Sequence, residues 1–164
     1  MNFKSYIESV PNFPKKGIIF RDIQPLLENS LAFKNSIKEM GALVSLPDVW
    51  VGVESRGFIF ASALSVMFGG GVCLIRKKGK LPNKNLNSIS YGLEYGLDTI
   101  QMKSSKIQKK AIIVDDVLAT GGTINAAQKL CEKSNYKVLD ILVLIDLGLN
   151  PSRSKQVKSL IRYE

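Results

Sequence analysis

The stretch Ala111-Ile112-Ile113-Val114-Asp115-Asp116-Val117-Leu118-Ala119-Thr120-Gly121-Gly122-Thr123 passes from an apolar run, through two adjacent carboxylates, into a loop of small and hydroxylated residues. The β-branched run Ala111–Val114 predicts a strand covered on both faces and ending at the acids, and the residues from Ile124 on predict a helix. Each part of the loop has a physical use. Glycines let backbone N–H groups converge on one anion, Thr120 and Thr123 add hydroxyl donors, and the helix presents its positive amino end. This combination suits a monoester phosphate. Two carboxylates beside a phosphate cradle repel the ligand unless they accept bonds from sugar hydroxyls or hold Mg²⁺. A phosphorylated ribose meets both demands. The bland alternative is a plain strand-to-helix connection, with the acids capping the helix and the glycines turning the chain. No G-x-x-x-x-G-K-[ST] or G-x-G-x-x-G occurs, which excludes a Walker loop and leaves a dinucleotide fold unsupported.

Three further apolar runs read as buried strands: Val49–Val53, Val72–Ile75 and Val138–Ile145. Apolar residues spaced by three and four predict helices over Leu31–Met40, Phe58–Phe68 and Ile124–Lys133. Alternating strands and helices imply an α/β fold with right-handed crossovers and a mainly parallel central sheet. In such sheets ligands bind beyond the carboxyl ends of the strands. Residues 81–110, rich in Asn, Ser, Gly and Lys, read as a mobile hairpin or lid. Residues 1–27, with Pro11, Pro14, Gly17 and Pro25, read as an appendage packed over the sheet's edge. At 164 residues the chain fits one domain, 1–164, with a continuous core.

Composition narrows the chemistry. The chain has no histidine, which excludes Ser-His-Asp triads and every imidazole metal site, so a metal would need oxygen ligands. With 23 Lys+Arg against 14 Asp+Glu, the formal charge is +9, which favours anionic partners. Arg76, Lys77, Lys78 and Lys80 put four cations within five residues. They suit a polyphosphate; without interleaved aromatics, nucleic acid is not expected. Cys73 and Cys131 form no C-x-x-C pair, and Met1-Asn2-Phe3-Lys4 does not begin a secretory leader, so free thiols in a cytoplasmic setting are expected. The uncharged stretch Gly57–Ile75 is long enough for a bilayer, but Gly69-Gly70-Gly71 divides it into a helix, a turn and a strand, and no membrane association is expected.

The segment Val114–Thr123 resembles the phosphoribosyl pyrophosphate (PRPP) signature of type I phosphoribosyltransferases, in the form typical of the adenine phosphoribosyltransferases. Four more blocks are similar to that family and stand in its order: Phe13–Ile23, Glu54–Phe58, Arg76–Pro82 and Tyr91–Gly96. The resemblance implies the type I fold with a small N-terminal hood (1–27) and a flexible lid (81–110). It implies a Mg²⁺-dependent pentosyltransferase of purine salvage, converting adenine and PRPP to AMP and pyrophosphate through an oxocarbenium-like transition state, and a homodimer. By the same resemblance, Ala119, Thr120, Gly121, Gly122 and Thr123 hold the 5′-phosphate, while Asp115 and Asp116 bind the ribose hydroxyls. Glu54, Ser55, Arg56, Arg76 and Lys80 serve the pyrophosphate, and Ile19, Phe20, Arg21 and Leu149 serve adenine, with backbone groups reading the purine edge. Glu94 matches the family's proposed proton-transfer glutamate, and no direct protein ligand to the metal is implied. Lys16 stands where the family often has proline, and the segment after Asp146 is shorter than usual. A sister enzyme for hypoxanthine, xanthine or orotate would alter the base-reading block; a non-enzymatic PRPP sensor would carry an added binding face, which is not visible here. Asp116→Asn is expected to remove most turnover and Glu94→Ala less, measured as steady-state nucleotide formation.

Overall fold

The computed structural model describes residues 1–82, 84–93, 96–149 and 156–163. In chain order they form a 3-10 helix (Phe3–Tyr6), β1 (Glu8–Pro11), β2 (Ile19–Asp22), α1 (Gln24–Glu28), α2 (Ser30–Ala42), β3 (Val49–Val53) and α3 (Gly57–Phe68). There follow β4 (Gly71–Lys77), β5 (Leu86–Leu93), β6 (Gly96–Lys103), β7 (Lys109–Leu118), α4 (Gly122–Lys133), β8 (Tyr136–Asp146) and β9 (Val157–Arg162). The main sheet has the order β5-β6-β4-β3-β7-β8-β9, and β1 and β2 make a separate hairpin. Strands β4, β3, β7, β8 and β9 run parallel. The β5–β6 hairpin is antiparallel and joins β4 only through Arg76↔Gln101 and Lys77↔Ile100.

Strand alternation explains why the central runs are apolar throughout. Val51, Ile113 and Val143 face one core with Ile124, Ala127 and Leu130 of α4. Trp50, Ile112, Val114 and Leu142 face the other, with Ile37, Met40, Phe60 and Leu64 of α2 and α3. Phe3, Ile7, Ile23 and Leu26 join that second core, so the amino-terminal residues are anchored beneath their exposed hairpin. The stretch 57–75 resolves into α3, a turn with Gly69 and Gly70 at φ +85° and +83°, and β4. Among the described residues no helix is long and apolar enough to cross a membrane.

Two expectations need correction. The strand carrying the acids does not end at them: β7 continues to Leu118, because β8 keeps pairing with it through Asp115↔Val143 and Val117↔Ile145. Nor is Val72–Ile75 buried on both faces, since Val72 and Leu74 remain 41% and 37% exposed. Strand β4 lies at the margin of the parallel block, where its outer neighbour pairs only with its last two residues. Residues 81–110 do contain the expected hairpin, as two eight-residue strands.

The approach of α3 to β7 sets the site's floor. A Cβ at Gly57 would lie 2.5 Å from the Val114 carbonyl oxygen, a clash with backbone that cannot rotate away. Gly57→Ala should therefore lower Tm by about 3–10 °C, the overpacking cost for a chain of this size, in thermal denaturation followed by circular dichroism.

Candidate active site

Beyond Leu118 the chain turns through Ala119 and Thr120 to Gly121, which takes the left-handed conformation (φ +91°, ψ 0°) and opens α4. A side chain there would strain the turn. No side chain caps α4, so its first N–H groups face the loop without a side-chain acceptor. Residues Ala119–Thr123 form one wall of a cleft of about 990 Å³, together with Asp115. Ile19, Arg21, Leu149 and Tyr163 line the same cleft. It thus joins an uncapped helix amino terminus to a partly apolar, cationic end.

Asp115 and Asp116 crowd the carboxyl end of β7. The Asp115 Oδ1 accepts the Asp116 backbone N–H at 2.9 Å, and Arg56 Nε lies 2.8 Å from Asp116 Oδ2. That ion pair lacks hydrogen-bond alignment, leaving Asp116 Oδ2 buried and without an aligned donor. Burial and the adjacent Asp116 charge push Asp115 well above the ordinary carboxylate range. Burial also raises Asp116, although the Arg56 guanidinium opposes the rise. The pair is therefore short of donors, which hydroxyl groups of a bound ligand can supply at Asp115, the member of the pair that lines the cleft.

At the other end, alternation along β2 sends Ile19 and Arg21 into the cleft and Phe20 away from it. The Phe20 ring packs edge-on against Phe13 at 5.2 Å and carries the Arg56 guanidinium at 5.1 Å from its centroid. Arg21 donates to Ser9 Oγ and lies 3.8 Å from the centroid of the Tyr163 ring. Leu149 is at the mouth, 59% exposed. Tyr163 was not singled out by sequence reasoning; its only signal is its place just after the last apolar strand.

The strand-end block at Glu54-Ser55-Arg56 splits. Arg56 reaches the acid pair, whereas Ser55 is exposed and the Glu54–Ser55 peptide is cis. Glu54 accepts the Lys77 N–H at 2.7 Å and Arg76 Nε at 3.3 Å. Burial raises its carboxyl, but these donors outweigh burial and hold it below its usual range. Arg76 Nη1 also donates to the Lys80 carbonyl at 3.5 Å. Glu54, Arg76 and Lys80 thus form a group outside the walls of the main cleft. Glu94 lies outside the described residues. Among the described residues, no three His, Cys, Asp or Glu side chains gather as a metal site.

The phosphoribosyl transferase domain family matches residues 28–161. The chain is 46% identical to the adenine phosphoribosyltransferase of Hydrogenovibrio crunogenus, covering 97% of this chain and 95% of that one. The chain belongs to the adenine phosphoribosyltransferase family. The family's fold is borne out by the solved adenine phosphoribosyltransferase of Thermoanaerobacter pseudethanolicus, with a TM-score of 0.91 at 37% identity over 98% of each chain. The Giardia lamblia enzyme, solved with 9-deazaadenine, gives a TM-score of 0.90 at 32% identity over 99% of this chain and 97% of that one.

The raised acids of this family member carry a stability signature. A carboxyl raised in the folded state opposes folding wherever it must ionise; the cost is full above the raised value and fades as pH falls towards the unfolded value near 4. Asp115→Asn keeps the acceptor for the Asp116 N–H and removes the charge. It should raise Tm by about 2–4 °C at pH 8 and by less at each step down to pH 4, measured by thermal denaturation.

Proposed function

We infer that this chain transfers the phosphoribosyl group of PRPP to adenine, forming AMP and pyrophosphate in purine salvage. The observation that carries the reading is the single cleft running from the uncapped amino end of α4 to Ile19, Arg21 and Leu149. A nucleoside monophosphate likewise carries an anion at one end and a base at the other. Backbone N–H groups and hydroxyls of Ala119–Thr123 hold the phosphate, and Asp115 and Asp116 accept from the ribose hydroxyls. Among the described residues strand β2 pairs only with β1, so its other edge offers backbone groups to the purine; a carbonyl there accepts from the 6-amino group of adenine, which a 6-oxo base lacks.

In the reaction a ring nitrogen of adenine bonds to the anomeric carbon as the bond to pyrophosphate oxygen breaks. Charge on the leaving group is the main obstacle, and Arg56, Arg76 and Lys80 supply the compensating cations. Glu54 acts by holding Arg76 rather than by touching the anion. Glu94 takes the proton released from the attacking base. Magnesium, bound with PRPP, supplies further neutralisation of the pyrophosphate. The residues fit a metal that arrives on its substrate, since the donors near the cleft are oxygens and the chain has no histidine.

A homodimer is part of this proposal. Val66 is 89% exposed on α3, and Val72 and Leu74 on β4 point the same way as Arg76. A second copy on this face covers apolar surface and adjoins the basic group. The two unpaired thiols support a cytoplasmic setting.

Incubation of the protein with PRPP and Mg²⁺ and, separately, adenine, hypoxanthine, xanthine or orotate tests the activity. Adenine should exceed each alternative by at least about 100-fold in kcat/KM. Equal or faster use of another base, or no turnover with any, overturns the assignment.

A further inference from the structure

Four side chains form a line from the basic end of β4, across the β5–β6 hairpin, to the first turn of α4. Lys77 Nζ pairs with Asp98 Oδ2. The Tyr91 hydroxyl lies 3.2 Å from that same Oδ2 and 3.3 Å from Thr123 Oγ1. The hairpin meets the loop here, where the Gly92 carbonyl lies 3.7 Å from the position of a Cβ on Gly122.

A phenol carries one proton, so Tyr91 donates to Asp98 or to Thr123, never to both. When it donates to Asp98, the contact with Thr123 requires the threonine hydroxyl to donate to Tyr91, and that proton is lost to the cleft. When Tyr91 donates to Thr123, the threonine proton is free for an anion in the loop. Asp98 does not lose its only partner in the exchange. Lys77 still pairs with Oδ2, and the Thr99 N–H donates to Oδ1 at 2.8 Å. Burial pushes the Tyr91 phenol above its usual range, so it keeps its proton at neutral pH.

We propose that Tyr91 is a positioning residue for the 5′-phosphate: it turns from Asp98 to Thr123 when the phosphate arrives and thereby aims the Thr123 hydroxyl at it. The inference rests on Ala119–Thr123 being the phosphate loop.

Calorimetric titration of the whole chain with ribose 5-phosphate tests it, because that ligand engages the loop without adenine or pyrophosphate. The wild-type protein should bind, and Tyr91→Phe and Thr123→Ala should each weaken binding about fivefold, the worth of one hydrogen bond. The double variant should bind no more weakly than Thr123→Ala, since Tyr91 acts only through the Thr123 hydroxyl. Thr123→Ser, which keeps the hydroxyl, should bind like the wild type. Tyr91→Phe should also leave the KM for adenine unchanged while raising that for PRPP, a split that general loosening of the fold would not produce. Wild-type affinity in Tyr91→Phe, or penalties that multiply in the double variant, overturns the role of Tyr91 and leaves the loop reading intact. A wild-type protein that does not bind ribose 5-phosphate overturns the loop reading and this inference together.

Discussion

Two carboxylates near the end of a central strand, close to a helix terminus whose positive end attracts anions, place opposed electrostatic demands within a few residues. Asp115 and Asp116 are held in place because β8 continues the ladder alongside them. Burial and mutual repulsion then make their ionisation costly, and Arg56 answers only part of that cost. Such an arrangement opposes folding in the free protein and favours a ligand that brings hydroxyl donors to the acids and a phosphate to α4. The left-handed Gly121 and the bare amino end of α4 complete the other half of this complementarity.

Arg56 connects this chemistry to the amino-terminal hairpin. Its guanidinium contacts Asp116 on one side and stands over the Phe20 ring on the other. Arg21, on the neighbouring position of β2, rests on Tyr163 just beyond β9. The hairpin is thereby tied at two points to the sheet's carboxyl edge, through cation–aromatic contacts each worth about 0.5–2 kcal/mol. The end of the cleft lined by Ile19, Arg21 and Tyr163 is consequently shaped by contacts between segments far apart in the chain.

That distribution explains which features are legible in the sequence. Val49–Val53 is readable to the residue because both faces of a central parallel strand are covered, so every position is apolar. The loop Ala119–Thr123 is local: strand, acids, glycines and helix follow one another without a break, and the turn at Gly121 opens α4 as the pattern predicts. The continuation of β7 past the acids is not legible, because it depends on pairing with β8 rather than on the residues' own preferences. Phe20 is a mixed case: the family resemblance implies a base contact, while the period of two along β2 assigns the cleft to Ile19 and Arg21. Tyr163 and the Lys77–Asp98–Tyr91–Thr123 line arise from tertiary contacts that no local pattern encodes.

The central claim is that the turn from Asp115 to Thr123 grips a phosphorylated sugar, with main-chain amides at one end and paired acids at the other. Isothermal titration of PRPP and Mg²⁺ into the folded protein tests it most directly. The account predicts saturable binding at one site per chain, abolished when Asp115 and Asp116 are both replaced by alanine; absence of heat from well-folded wild-type protein, or unchanged affinity in that double variant, contradicts it.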